Sequence, residues 1–263
     1  MKILGIIGKP VKHSLSPLMY RSAFEHLGMD ALYLPFEVED AEMAIRGAHA
    51  LGFHGLNVTM PHKEIAGSIS RKMDDVSRIS GAVNTIRFSD EILGYNTDGD
   101  GALRAIESSG TEIKGSKILI LGAGGSAKAI AVRLSFEDVE LMIWNRSRNR
   151  ANQLASLTGA KVVENLREAV RRADILINTT PVGMNSDESL LFAEDLHESL
   201  TVLDIVYSPP ETRLLREAKK AGAKTVDGIS VLLHQGALNF EIWFGRKAPF
   251  EIMEKAVREA VRR

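Results

Sequence analysis

The chain has 263 residues, 33 Lys and Arg against 34 Asp and Glu, 44% hydrophobic residues and no cysteine. That length buries enough apolar surface for one large domain or two small ones without staples. The near-neutral balance offers no field for nucleic acid or an anionic membrane, so any phosphate recognition must be local. The missing cysteine excludes disulfides, thiolate nucleophiles and zinc-thiolate sites. The first apolar run is short and broken by Gly5, unlike a secretory signal, and no stretch approaches the length of a membrane span. A cytoplasmic protein is expected.

In chain order, β-rich runs at residues 3–8, 31–38, 55–58 and 82–88 alternate with amphipathic helical stretches at 18–27 and 41–51. After Gly115 a second series begins, with strands at 117–121, 139–144, 161–163, 175–178 and 202–205. Both series have the period changes of βαβ units, so two α/β halves are predicted. The seam falls where a Gly-rich turn, 94–101, gives way to a helical run at 102–106 and a polar loop. Helices at 229–244 and 250–262 close the chain, separated by helix-stopping residues at 245–249. The last one carries an apolar face of Ile252, Met253, Ala256, Val257, Ala260 and Val261 that must pack on something. Packing on the first half makes that domain discontinuous, as residues 1–101 plus 237–263, leaving 102–236 as the second domain. There is no internal repeat.

The strand at 117–121 runs into Gly122-Ala123-Gly124-Gly125-Ser126-Ala127 and then an apolar helical pattern. This is the Gly-x-Gly-x-x-Gly/Ala fingerprint in its strand-turn-helix context, the mark of a doubly wound, Rossmann-type dinucleotide domain. Gly122 permits the tight turn, Gly124 lets backbone approach a pyrophosphate, and Ala127 keeps the helix close to the sheet. A Gly-rich turn without a ligand is the bland alternative. At the end of the next strand, Asn145-Arg146-Ser147-Arg148-Asn149-Arg150 offers no carboxylate for the ribose hydroxyl of NAD. Arg146 and Arg150, four apart, suit the extra phosphate of NADP, whereas Arg148 reads as a solvated helix start.

Three polar clusters mark strand ends in the first half: His13-Ser14-Leu15-Ser16-Pro17, Asn57-Val58-Thr59-Met60-Pro61-His62-Lys63, and Asn84-Thr85 with Asn96-Thr97-Asp98. Strand ends of an open α/β sheet are where ligands bind. Each cluster also has a structural reading: Ser16 before Pro17, and Thr59 before Pro61, as helix caps, and Asn96 and Asp98 as turn residues. Repeated Asn-Thr and Ser-x-Ser pairs exceed what capping needs and suit a hydroxylated, anionic ligand. Lys63 is the cation bracketed by the clusters, on a helix N-terminus whose dipole repels it, and Asp98 is the acid beside the seam.

Together with Gly81-Ala82-Val83-Asn84-Thr85, Asn178-Thr179-Thr180-Pro181, Tyr207-Ser208-Pro209 and Gln235-Gly236, these motifs resemble the shikimate dehydrogenase family along nearly the whole chain. The resemblance implies that Ser14 and Ser16 bind a substrate carboxylate, and that Asn57, Thr59, Asn84, Tyr207 and Gln235 contact the substrate's body and hydroxyls. It makes Lys63 and Asp98 the catalytic pair. It further implies that residues 122–126 and 145–150 hold NADP, with Ile205 and Gly228 near the nicotinamide. Ser147 stands where the family often has Thr, and Ser208 where it often has Asn.

The implied reaction is reversible reduction of 3-dehydroshikimate to shikimate, in aromatic amino acid and chorismate biosynthesis. The partner would be that small molecule, with no nucleic acid, membrane or metal; whether the chain forms a homodimer is not legible. An NAD-using quinate/shikimate dehydrogenase and a dinucleotide-binding regulator without chemistry are the rival readings.

Overall fold

In the computed structural model, which describes residues 1–262, the N-terminal apolar run forms β1 (Lys2–Gly8), with Leu4, Ile6 and Ile7 buried. There follow α1 (Ser16–His26), β2 (Ala31–Glu37), α2 (Ala41–Ala50), β3 (Gly55–Val58), α3 (Lys63–Ile69), β4 (Lys72–Met73), α4 (Asp75–Ser80), β5 (Thr85–Phe88) and β6 (Ile92–Tyr95). They build a six-stranded sheet of order β2-β1-β3-β5-β6-β4. Its strands are parallel except β5, which runs against both β3 and β6. Two helices start on carboxylate caps: Asp40 accepts from the Met43 amide at 2.9 Å and Asp74 from the Ser77 amide at 2.8 Å.

The second sheet is all parallel, in the order β12-β11-β10-β7-β8-β9, the doubly wound arrangement. Its elements are α5 (Asp98–Ser108), β7 (Lys117–Leu121), α6 (Gly125–Leu134), β8 (Glu140–Trp144), α7 (Arg148–Thr158), β9 (Lys161–Val162), α8 (Leu166–Val170), β10 (Ile175–Asn178), β11 (Thr201–Asp204), α9 (Arg213–Lys220) and β12 (Lys224–Val226). β7 shows why this sheet is covered on both faces. Its Ile118 and Ile120 enter one apolar core, while Leu119 and Leu121 enter the other.

The chain is α/β with two mostly parallel sheets. Close contacts divide it into one unit of Met1–Asp98 with Leu233 onward, and a second of Gly99–Leu232. Both divisions fall inside helices, after the first residue of α5 and within α10 (Gly228–Phe244). The final helix, α11 (Phe250–Val261), packs its buried Met253 and Val257 face on α1.

The Gly-rich stretch expected as a turn at 94–101 is instead the end of β6 and the start of α5. Gly94 is paired on both sides, to Ile86 of β5 and Met73 of β4, and two ladders outweigh glycine's preference for turns. The strand expected from residue 82 begins only at Thr85. Residues 82–84 make cross-links instead, with the Val83 amide donating to the Lys63 carbonyl at 2.9 Å and the Asn84 amide to the Tyr95 carbonyl at 3.0 Å.

Trp243 anchors α10 to the first sheet. It is 2% exposed, donates to the Ile86 carbonyl at 2.9 Å, and meets the Tyr20 and Tyr33 rings at centroid separations of 5.2 and 6.1 Å. Its indole lies against Gly55, where any Cβ would collide with it. Trp243→Ala should therefore destabilise this unit by about 3–5 kcal/mol, from the cavity and the unpaired carbonyl. Urea unfolding followed by circular dichroism would measure it, and a loss below about 1 kcal/mol would refute this anchoring role.

Candidate active site

In the first unit, Lys63 is the first residue of α3 and Asp98 the first of α5. Lys63 Nζ donates to Asp98 Oδ2 at 2.5 Å, with only 16% and 9% of the two side chains exposed. A carboxylate at a helix N-terminus is favoured by the dipole, and here it also offsets the misplaced lysine. Its other oxygen, Oδ1, accepts from Asn84 Nδ2 at 2.6 Å, and the Asp98 amide donates to Asn96 Oδ1 at 3.2 Å. Such a buried pair holds only if its remaining valences are satisfied, because desolvation otherwise exceeds the Coulombic gain.

The surrounding side chains supply that satisfaction. Asn84 Nδ2 also faces Thr97 Oγ1 at 3.1 Å and Gln235 Oε1 at 3.2 Å, so three acceptors surround two N–H groups. Asn84 Oδ1 accepts the Thr97 amide at 3.0 Å. Buried Asn57 donates to Thr85 Oγ1 at 3.0 Å and to the Asn84 carbonyl at 3.2 Å, and accepts from the Tyr33 hydroxyl at 2.7 Å. Burial pushes the pKa of the Tyr33 phenol well up. Tyr33 is thus a neutral donor.

The structural readings of these polar clusters do not survive. Ser16 is not a cap: Leu15 holds that position, and the Ser16 amide donates to Ser14 Oγ at 3.3 Å. Thr59 does not start a helix either, since α3 begins at Lys63 behind His62, with Thr59 half-buried ahead of it. Asn96 and Asp98 are buried rather than exposed turn residues, Asn96 donating to the Ala82 carbonyl at 2.8 Å.

In the second unit, β7 is followed by Gly122, whose φ of 111° and Cβ direction, 2.5 Å from Thr179 Oγ1, admit only glycine. Gly124 is the N-cap of α6 and brings no side-chain acceptor to its first amides. A Cβ on Gly124 or Gly125 would point into open space, so backbone N–H groups line the turn. Ser126 follows, Ala127 packs in the core with the strand, and Ala123 lies against that core.

After β8, Asn145 donates to the Ser147 carbonyl at 2.9 Å, and Ser147 is the N-cap of α7 without a side-chain cap bond. Arg148 pairs with Glu164 at 2.5 Å, whereas exposed Arg146 and Arg150 have no ion-pair partner among the described residues. Beyond β11, the chain at Ile205 and Val206 lies so near the start of α10 that a Cβ on Gly228 would stand 2.5 Å from the Ile205 carbonyl oxygen. Burial raises the phenol pKa of Tyr207, in the same loop, and keeps it neutral. Among the described residues no group of three or more His, Cys, Asp or Glu is placed to hold a metal.

Residues 6–86 match the family model of the shikimate dehydrogenase substrate binding domain, 104–224 that of shikimate/quinate 5-dehydrogenase, and 228–258 that of the shikimate 5'-dehydrogenase C-terminal domain. An NADP(+) shikimate dehydrogenase of Methanosarcina acetivorans is 49% identical over 276 residues, covering 99% of each chain. The chain belongs to the shikimate dehydrogenase family. Solved members agree in fold. A shikimate dehydrogenase in complex with NADP+ superposes with a TM-score of 0.93 at 38% identity, over 99% of this chain and 96% of that one. The enzyme from Thermus thermophilus, in complex with NADP(H) and shikimate, gives 0.93 at 37% identity, over 99% and 100%.

Within this family frame, two buried polar residues escaped the sequence reading. Asn239 on α10 joins the Thr85 and Thr97 hydroxyls, and Asp204 ends β11. Asp204 accepts from Asn178 Nδ2 at 3.0 Å, the Val206 amide at 3.1 Å and the Thr212 hydroxyl at 2.7 Å, tying down both ends of the loop that carries Tyr207. An acid interrupting the apolar run of β11 was the available signal.

Burial raises the Asp204 pKa from 3.8 to about 6, more than its three donors lower it. The folded state therefore holds this proton more tightly than the unfolded chain. Its stabilising contribution is complete below pH 3.8 and is lost as pH rises to about 6. At about 1.4 kcal/mol per pKa unit the loss is roughly 3 kcal/mol. Unfolding free energies of the parent and Asp204→Asn, taken from pH 4 to 7, should diverge by that order across this window. Parallel curves would contradict it.

Proposed function

We propose that the chain catalyses the NADP-dependent, reversible reduction of 3-dehydroshikimate to shikimate. The carrying observation is the 2.5 Å Lys63–Asp98 pair, shielded from water within a cluster of amides and hydroxyls. NADP fits the second unit on the chemistry of its donors: the Gly122–Ala127 turn offers backbone N–H groups to a pyrophosphate, and Arg146 and Arg150 have no ion-pair partner among the described residues where NAD would need a carboxylate. When bound, the nicotinamide supplies or accepts the hydride at substrate carbon 3.

The first unit is assigned substrate binding and catalysis, the second NADP binding. Lys63 Nζ donates a proton to the 3-oxygen as it becomes an alkoxide, and takes it back when shikimate is oxidised. Asp98 fixes the ammonium through Oδ2 and is itself held through Oδ1 by Asn84. Such positioned acid-base help contributes about 10² to 10⁴ in rate. Ser14 and Ser16 bind the carboxylate, with their hydroxyls not spent on capping. Asn57, Thr59, Asn84, Tyr207 and Gln235 contact the ring and its hydroxyls, and Ile205 and Gly228 the nicotinamide. The proposed setting is the cytoplasm: among the described residues no helix is long and apolar enough to cross a membrane.

Steady-state assay with shikimate and NADP, read by NADPH absorbance, tests the whole reading; no absorbance change would leave a dinucleotide-binding regulator, and faster turnover of quinate with NAD would leave the broader dehydrogenase. Lys63→Ala should lower kcat by about 10² to 10⁴ with little change in shikimate binding, and turnover within about threefold of the parent would remove Lys63 as proton donor. Replacing Arg146 and Arg150 together by Ala should raise the KM for NADP at least about tenfold, since charge-assisted bonds contribute about 1.5–3 kcal/mol each, while leaving that for NAD unchanged. Equal effects on both cofactors would show that these arginines do not read the 2′-phosphate.

A further inference from the structure

One connected hydrogen-bond path runs through the first unit, from Tyr33 through Asn57, Thr85, Asn239, Thr97, Asn84 and Asp98 to Lys63. Its members Asn57, Asn84, Asp98 and Lys63 are residues assigned above to substrate or catalysis. Asn239 is not. It is 3% exposed, on α10, 142 residues beyond Thr97. We propose that Asn239 is a positioning residue that sets the proton direction of this path and so holds Asn57, Asn84 and Asp98 in the geometry that binds substrate; this rests on the function proposed above.

The direction follows from a count of protons. Asn239 Oδ1 faces two threonine hydroxyls and, as an amide oxygen, can only accept from them. Oδ1 accepts from Thr85 Oγ1 and from Thr97 Oγ1, both at 2.7 Å. Each threonine hydroxyl has one proton, and the alternative acceptor for both is Asn84 Oδ1, farther off at 2.9 and 3.3 Å.

With both protons drawn to Asn239, the lone pairs of Thr85 and Thr97 are left for Asn57 Nδ2 and Asn84 Nδ2. That choice orients both amides. Asn57 Oδ1 then faces Tyr33, and Asn84 Oδ1 is left to the Thr97 amide while its nitrogen reaches Asp98. Without Asn239, both hydroxyl protons turn to Asn84 Oδ1. They then crowd the amide that holds the carboxylate of the catalytic pair.

The test is a mutant cycle on the intact protein, with Asn239→Leu, the pair Thr85→Val with Thr97→Val, and all three together. Asn239→Leu should raise the KM for shikimate at least tenfold and lower kcat several-fold. Titrated NADP affinity should stay within twofold, because the cofactor turn belongs to the other unit. The triple variant should be no worse than the threonine pair, within about twofold, since Asn239 acts through those hydroxyls. Asn239→Asp keeps both acceptor contacts and should restore the KM to within about threefold of the parent.

Multiplying effects in the triple variant would overturn the proposal. So would a fall in kcat alone, in step with the folded fraction, which is what a merely structural residue would give. If Asn239→Leu does not fold, the threonine pair and Asn239→Asp decide it: a parental KM in the threonine pair, or an unrescued one in Asn239→Asp, overturns it. An inactive parent would instead sink the proposed function, whereas an active parent with unaffected variants sinks only this inference.

Discussion

The structure turns on one buried ion pair, Lys63 with Asp98. A lysine and a carboxylate nearly out of water lose several kcal/mol of hydration each, and their mutual attraction offsets that only if every remaining donor and acceptor is met. The first unit is organised around this demand. Two helices begin at the pair, so one helix dipole favours the acid while the acid neutralises the other helix's unfavourable lysine. Asn84, Thr97 and Asn96 complete the acid's surroundings. Among the described residues only Ser77 Oγ is buried without a partner, so the polar interior is almost wholly satisfied.

The second unit meets a different demand with backbone rather than side chains. Its sheet is parallel and apolar on both faces, as β7 illustrates, and the turns at the strand ends carry the polar functions. At Gly122 and Gly228 the chain passes too close to its neighbours for any side chain. The Asp204 carboxyl holds the loop between β11 and α9 through the Val206 amide and the Thr212 hydroxyl, at the cost of a raised pKa.

Much of this was legible in the sequence because the signals are local. The run Lys117-Ile118-Leu119-Ile120-Leu121 followed by glycines names a buried strand entering a helix, and β3, β7 and β10 have the bounds read from apolar runs. The two-residue β9 fell within the strand read at 161–163, but other short strands were not legible. β4 has two residues and β12 three, too few to show a period, and β6 contains a glycine that reads as a turn. Lys63 and Asp98 stood out as candidates by their neighbours, but their 2.5 Å approach depends on sheet order, which no local pattern encodes. Asn239 was invisible for a related reason. Lying among Ala237, Leu238 and Phe240, it looks like an incidental amide on an apolar helix until α10 is laid against β5.

That both divisions between the units fall inside helices has a consequence for how this protein can be cut or recombined. A fragment ending at Asp98 would finish on the carboxylate itself and lose the turn of α5 that fixes its backbone. A fragment ending at Leu232 would leave α10 broken, with Trp243 and Asn239 on the discarded side. Modular exchange with a relative must therefore carry α5 and α10 whole. In this fold the unit of inheritance is the helix with its site residue attached, not the compact body on either side.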